Sequence, residues 1–292
     1  MTPDALVQLH DLELVARVTV EGALSGLHRS PFHGYSAEFS QYRHYRAGDD
    51  LKYIDWKLFA RTDRIYTKQF RETTNVRLQI LLDASASMAF AGDASVSKLA
   101  YARVLAGAMA HLITKQGDAP GLTVYDEQVR TYIGSRPGRS HLRGVLTTLA
   151  NTSAHGSTAA APAVRRAVDL LRSRALIVVI SDLYDDDGAV EGELKRAARM
   201  GHDVSVFHVL SREELDWPFN VDVEVEDSET GRRVLMSSSQ ADGYRARVNA
   251  FVAGWRDRCA AENILYALAR TDVDPGRVLR EHLLQRSVRT NR

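Results

Sequence analysis

The sequence predicts an α/β fold with a doubly wound, mostly parallel sheet, preceded by an N-terminal arm and interrupted by an inserted β-hairpin. From residue 77 onward, short aliphatic runs alternate with longer stretches of helical period, which is typical of a sheet covered by helices. Composition agrees, because 45% apolar and 26% charged residues are ordinary values for a globular chain. The 292 residues fit one large domain with an attachment, which we place at 77–292 and 1–76.

The predicted strands are apolar runs of four to six residues, the length expected of strands buried on both faces. They cover residues 78–82, 122–125, 176–180, 204–209 and 264–268. The predicted helices cover 98–114, a segment that opens at Pro162, 193–200, 244–259 and 277–285. The first of these helices is apolar almost all round, so we expect it to be deeply covered.

Two segments interrupt the alternation of strands and helices. Residues 129–133 follow a predicted strand after a short polar turn, which indicates an antiparallel edge strand. Residues 221–236 alternate valines with Asp222, Glu224 and Glu226 before a turn that ends at Gly231, which predicts a hairpin with one acidic face. That face is either a solvated surface that discourages edge pairing or a strip that binds a partner.

The first 76 residues differ in kind from the rest of the chain. Residues 5–24 have helical period, and an irregular region follows in which ten of the 22 aromatic residues lie between Phe32 and Phe70. Because each aromatic ring can bury on the order of 150–250 Å², this segment should pack on something rather than act as a linker.

Charge and cysteine content exclude several classes of protein. The formal net charge of +1 provides no global positive field for nucleic acid or an anionic membrane. The single cysteine, Cys259, excludes an internal disulfide framework and fits a reducing compartment. We find no signal pattern and no apolar run near the ~20 residues of a membrane span. We therefore expect a cytoplasmic protein without an integral membrane segment.

Hydroxyl and carboxylate side chains follow the predicted strands where each strand ends. Asp83, Ser85 and Ser87 come after the first strand, Asp182 follows the run 176–180, and Thr158 lies in a third loop. In open parallel sheets the carboxyl edge of the strands is where ligands bind. These five hard oxygen donors suit a small octahedral cation, Mg²⁺ or Mn²⁺, which would keep some of its water.

The pattern Asp-x-Ser-x-Ser, the Gly-x-Thr loop and the Ser-Asp pair resemble the metal-ion-dependent adhesion site (MIDAS) of the von Willebrand factor A (vWA) domain. The resemblance covers all three motif loops in order and implies a Rossmann-like sheet. In that family the hydroxyls contact the metal, and the carboxylates act directly or through water. Carried over by position, the ligands are Asp83, Ser85, Ser87, Thr158 and Asp182. One coordination position is left for an acidic side chain of a partner.

The segment upstream of the sheet carries a second resemblance. Its blocks are Gly26 to Ser30, Gly34 to Phe39, Arg43 to Asp50, Ile54-Asp55-Trp56 and Ala60-Arg61. Together they resemble the domain-of-unknown-function family 58, whose members carry this block before a vWA-like domain. Members often have membrane helices ahead of the block, and they occur alongside MoxR-type AAA+ ATPases. The resemblance implies a non-catalytic adaptor that recruits substrates to such an ATPase.

Read without any family, the arm has three interpretations. Arg43, Arg46 and Arg61 can pair with Asp49, Asp50 and Asp55 to form a structural clasp. The same residues can form a docking surface. An excess of basic residues among aromatics also suits single-stranded nucleic acid, but interspersed acids weigh against this.

The candidate metal site also has rival interpretations. Asp83 and Asp182 can simply cap turns or helices, in which case the motif is vestigial. A Mg²⁺-dependent phosphatase or hydrolase would use Asp83 as nucleophile, but the second carboxylate expected two residues later is replaced by Ser85. Because we find no Walker A motif, any ATPase activity should belong to a partner.

Overall fold

The computed structural model describes residues 11–25, 36–46, 48–73, 76–92, 96–156, 160–184, 188–219, 221–228 and 231–290. The chain divides into two compact units. The larger unit contains the first helix and everything from residue 76 onward, and the smaller unit lies within residues 32–75. The predicted arm, residues 1–76, is therefore divided between the two units. Its helix belongs to the larger unit, and most of the rest forms the smaller unit.

A six-stranded sheet forms the centre of the larger unit. Its strands are β3 (Arg77–Asp83), β4 (Ala119–Tyr125), β5 (Val129–Ile133), β6 (Leu176–Ser181), β7 (Asp203–Leu210) and β10 (Leu265–Arg270). Their order in space is β10-β7-β6-β3-β4-β5, and all neighbours are parallel except β4 and β5. The doubly wound fold is thus confirmed, including the antiparallel edge strand.

Helices cover both faces of the sheet. One layer contains α1 (Leu12–Leu24), α3 (Lys98–Lys115), α4 (Arg139–Asn151) and α9 (Pro275–Thr290), which pack against one another. The other layer contains α5 (Ala160–Asp169), α6 (Ala189–Arg199) and α8 (Ala241–Ala261), whose apolar residues form one core with sheet residues Leu81, Val179 and Val206. Cys259 lies buried in this second core.

In the larger unit, two helices add to the predicted set. One is α4, whose buried stripe Leu142, Val145, Leu146 and Leu149 has helical spacing. The other is the short α7 (Arg212–Asp216), which begins at a capping box between Ser211 and Glu214. The predicted hairpin is confirmed as the antiparallel pair β8 (Val223–Glu226) and β9 (Arg233–Met236).

The smaller unit corrects the expectation of an irregular region. Strands β1 (Ser36–His44) and β2 (Tyr66–Thr73) pair antiparallel, and α2 (Trp56–Thr62) lies between them in the sequence. The predicted pair of Arg43 and Asp49 is present at 2.7 Å. Asp50 and Asp55 instead pair with lysines, Lys52 at 2.9 Å and Lys68 at 3.1 Å.

Among the residues described, no helix is both long and apolar enough to cross a bilayer.

Candidate metal centre

The carboxyl ends of β3 and β6 lie side by side in the middle of the sheet. The strand order changes direction here, because β3 is flanked by β4 on one side and by β6 on the other. Asp83 is the last residue of β3, and Asp182 directly follows β6. The topology therefore brings these two carboxylates to the edge where ligands bind in open α/β sheets.

Asp83 is fully buried and is held by two hydrogen bonds. The backbone N–H of Ser85 donates to Oδ1 over 2.9 Å, and the hydroxyl of Ser181 donates to Oδ2 over 2.6 Å. Burial, followed by the charge of Asp182, raises the pKa of Asp83 to about 6. A nearby cation would favour the charged form of this carboxylate.

Ser85 and Ser87 present their hydroxyls together. The two Oγ atoms are 3.1 Å apart, because the 3₁₀ turn at Ala86–Ala89 follows Ser85 at once. Ser85 is buried, and Ser87 is half-buried and lines a surface groove. The loop is fixed at its start by the Ala84 N–H, which donates to the carbonyl of Tyr125 over 2.8 Å.

The two carboxylate oxygens of Asp182 differ in their surroundings. Its side chain is fully buried, and Oδ2 accepts a hydrogen bond from the Lys98 ammonium over 2.8 Å. Its Oδ1 is buried and has no hydrogen-bond partner within the part of the chain that the structure describes. Buried carboxylate oxygens are normally satisfied, so an unpartnered oxygen calls for an explanation, and a bound cation would supply one.

The third predicted loop reaches the same place. The Ala86 N–H donates to the carbonyl of Gly156 over 2.9 Å, and the His155 N–H donates to the carbonyl of Ala84 over 3.0 Å. Gly156 has φ +80°, and a Cβ there would approach Oδ2 of Asp126 to 2.8 Å, so the position requires glycine. Thr158 lies just beyond, outside the described residues, and its role as a ligand stays a prediction.

The residues present fit a small hard cation. Asp83, Ser85, Ser87 and Asp182 offer only oxygen atoms, the donors that Mg²⁺ and Mn²⁺ prefer. Across the described ranges, no three His, Cys, Asp or Glu side chains gather around a common point, so a metal here would depend on the hydroxyls.

The sequence did not indicate a role for Lys98 or Glu214. Both contribute to the charge at this edge of the sheet. Lys98 is 1% exposed, and its ammonium donates to Asp182 over 2.8 Å and to Glu214 Oε1 over 2.6 Å. Burial opposes its charge, but both carboxylates together raise the pKa of Lys98 above its ordinary value. With Asp83, three carboxylates and one ammonium leave two negative charges, which a divalent cation would neutralise. The sequence signal was weak, a charged residue at the start of a helix that is mostly apolar.

Most of the chain matches one known protein family. Residues 41–257, well over half of the sequence, match the family described as "Protein of unknown function DUF58". The chain belongs to the DUF58 family. This confirms the resemblance to family 58.

Two mycobacterial relatives of this DUF58 protein are described as uncharacterized. It is 29% identical over 233 residues to the uncharacterized protein Rv1480 of Mycobacterium tuberculosis, which covers 78% of this chain and 72% of the relative. The uncharacterized protein Mb1516 of Mycobacterium bovis matches to the same extent. A crystal structure of the conserved hypothetical protein BatB from Bacteroides thetaiotaomicron aligns at a TM-score of 0.49 and 18% identity, over 73% of this chain and 99% of that one.

Proposed function

We propose that this DUF58 protein is a metal-ion-dependent adaptor that binds other proteins through the carboxyl edge of its sheet. The observation that carries the proposal is the buried, unpartnered Oδ1 of Asp182, at the same edge of the sheet as the paired hydroxyls of Ser85 and Ser87. These residues, with Asp83 and Thr158, would hold Mg²⁺ or Mn²⁺. The ion would supply a Lewis-acidic position for an acidic side chain of a partner.

The resemblance to the vWA adhesion site supports an acidic ligand. The resemblance to family 58 indicates the partner, a MoxR-type AAA+ ATPase, with the two proteins acting as a chaperone-like or remodelling system. The acidic side chain at the metal would belong either to that ATPase or to its client.

Hydrolysis by Asp83 is the rival function, and the geometry of Asp83 disfavours it. Both of its carboxylate oxygens already accept hydrogen bonds, and the side chain is fully buried, so it is poorly placed to attack a substrate. The position two residues later is Ser85, which supplies no acid or base for a leaving group.

Capture of a MoxR-type ATPase by the purified protein tests the adaptor function. We expect capture in Mg²⁺, and we expect its loss in chelator and in the double variant Ser85→Ala/Ser87→Ala. The exposed Ser239→Ala serves as the matched control and should bind like the wild type. Equal capture under all these conditions would remove the metal from the mechanism.

Thermal unfolding separates a vestigial site from a working one. A cation that binds only the native state raises the melting temperature as its concentration rises. We expect Mg²⁺ or Mn²⁺ to stabilise the wild type and the Ser239→Ala control but not the double variant.

A further inference from the structure

A groove with a volume of about 710 Å³ lies directly beside the candidate metal centre. Ser87 and Lys98 line the end of the groove that meets the metal centre. Most of the remaining lining residues come from α7, the segment after it and β8 with the turn that follows. Phe90, Tyr184 and Tyr244 complete the lining, and all of these residues belong to the larger unit. A partner segment that reaches the metal edge would therefore meet this groove as well.

The lining of the groove is acidic. Among the described residues, the groove is lined by one basic side chain, Lys98, and by five carboxylates. The carboxylates belong to Glu213, Glu214, Glu224, Glu226 and Asp227. The ammonium of Lys98 is already bound to Asp182 and Glu214. Arg233 on β9 offsets part of the hairpin charge, through contacts of 2.8 Å to Glu226 and 3.8 Å to Glu224. The groove thus favours a cation.

Glu213 provides an independent sign of a missing partner. It is only 6% exposed, and its Oε2 is buried without a hydrogen-bond partner in the described ranges of the chain. Gly92, with φ +60°, lies against this carboxylate, and any side chain at that position would collide with it. A buried carboxylate oxygen without a partner is costly, and a ligand cation in the groove would relieve the cost.

Aromatic side chains also line the groove, and the faces of aromatic rings attract cations. Trp217 lines the groove, with its ring centroid 4.8 Å from that of Tyr244 and 5.3 Å from that of Phe219. Trp217 has φ 45°, a left-handed conformation in which it ends α7, with its N–H donating to the carbonyl of Glu213. Its indole Nε1 is also buried and unpartnered as far as the described residues extend. Tyr184 lines the same groove and lies 5.2 Å from the Lys98 ammonium, so its ring already faces a cation.

We propose that this groove binds an arginine side chain of a partner protein, next to the candidate metal centre. A guanidinium group fits better than an ammonium, because it can bind a carboxylate with two parallel hydrogen bonds while it stacks on an aromatic ring. The proposal deepens the protein-binding function above and rests on it for the claim that this edge meets a protein. It does not require the metal.

Nuclear magnetic resonance of the indole groups tests the proposal. The protein contains three tryptophans, so ¹⁵N labelling gives few indole signals, and a Trp217→Phe variant assigns the signal from the groove. The probe is a heptapeptide of Gly, Ala and Ser with one central arginine. The matched probe has citrulline, which is neutral and of nearly the same shape, in place of arginine.

We expect the arginine peptide to shift the Trp217 indole signal saturably and the citrulline peptide to bind about tenfold more weakly or not at all. Glu213→Gln should weaken binding of the arginine peptide about tenfold. The exposed Glu226→Gln should also weaken it, without risk to the core, whereas Glu281→Gln on α9 should leave it unchanged. Equal binding of both peptides, or no shift of the Trp217 signal at millimolar peptide, would overturn the proposal.

Each titration is run in Mg²⁺ and in chelator. Groove binding should persist in both, whereas capture of the ATPase at the metal should occur only in Mg²⁺. Failure of the arginine site and failure of the metal-dependent adaptor function therefore give different results.

Discussion

At the scale of single residues, the positions of the candidate donors at the ends of the strands could be predicted, whereas the charges around them could not. Asp83, Ser85, Ser87 and Asp182 follow strands that the sequence indicates clearly, and parallel topology brings strand ends to one edge. Lys98 comes from the start of α3, and its partners Asp182 and Glu214 lie 84 and 116 residues away. No local pattern in a sequence reports contacts of that range.

The first prediction concerns the buried ammonium. Lys98→Met keeps the length of the side chain but leaves the carboxylates of Asp182 and Glu214 uncompensated, which should cost about 3–5 kcal/mol of unfolding free energy in chelator. Mg²⁺ should recover part of that loss, because a dication can take over the role of the ammonium. Urea unfolding with and without Mg²⁺ measures both quantities.

Lys115→Met is the matched control for this variant. Lys115 lies at the exposed end of the same helix, so its substitution should change stability by less than about 0.5 kcal/mol. Two results would contradict the assignment of this charge to the site. One is a Lys98→Met protein that is as stable as the wild type in chelator, and the other is a loss of unfolding free energy that Mg²⁺ does not reduce.

The second prediction concerns His282, which α9 buries against Phe207 at a ring distance of 4.7 Å. Burial, followed by the charge of Arg286, lowers the pKa of His282 to about 3. The unfolded chain takes up this proton near pH 6.5 and the folded protein does not, so stability falls as pH falls below 6.5. His282→Leu should reduce that fall by about 1.4 kcal/mol per pH unit between pH 6 and 4.

Denaturant unfolding at several pH values measures the slope for His282. An unchanged slope in His282→Leu would mean that this imidazole is protonated in the folded protein.

At the scale of elements, the sequence predicted the sheet well and the smaller unit poorly. Strands β3, β6 and β7 are buried almost throughout, and continuous aliphatic runs report that directly. In the smaller unit, a shift of register between Phe39 and Gln41 breaks the two-residue alternation of β1, so the strand gives no regular pattern. Helix α4, by contrast, has a clear apolar stripe, so the sequence alone could have predicted it.

The third prediction concerns Asp55, which connects the elements of the smaller unit. Its Oδ1 accepts from the N–H groups of Lys57 and Leu58 at the start of α2, both at 3.0 Å. Its Oδ2 accepts from the Tyr42 hydroxyl of β1 over 2.8 Å and from Lys68 of β2 over 3.1 Å. These contacts, with the bond to the Leu58 N–H contributing most, lower the pKa of Asp55 to about 2.

Asp55→Ala should remove the cap of α2 and both cross-links to the strands. Hydrogen exchange should then speed up in α2 and β2 and stay unchanged in α3 of the larger unit. Asp50→Ala, which removes only the local contact with Lys52, should affect fewer amides. Equal exchange in Asp55→Ala and the wild type would show that Asp55 does not stabilise this unit.

At the scale of the whole molecule, a reversal of strand order places the candidate metal centre next to the groove proposed to bind arginine. The candidate metal centre would take an acidic side chain of a partner, and the groove beside it would take a basic one. Ser87 belongs to both, and Lys98 lies between them with its ammonium bound to Asp182 and to Glu214. A partner surface with paired charges of opposite sign would fit this edge better than a uniformly charged one.

Anomalous X-ray diffraction from crystals grown with millimolar Mn²⁺ tests the metal centre most directly. The account predicts a peak within coordination distance of the Ser85 and Ser87 hydroxyls and Oδ1 of Asp182, and no such peak in Ser85→Ala/Ser87→Ala. Absence of anomalous density at this edge in the wild-type protein, or a peak that both proteins share, would contradict it.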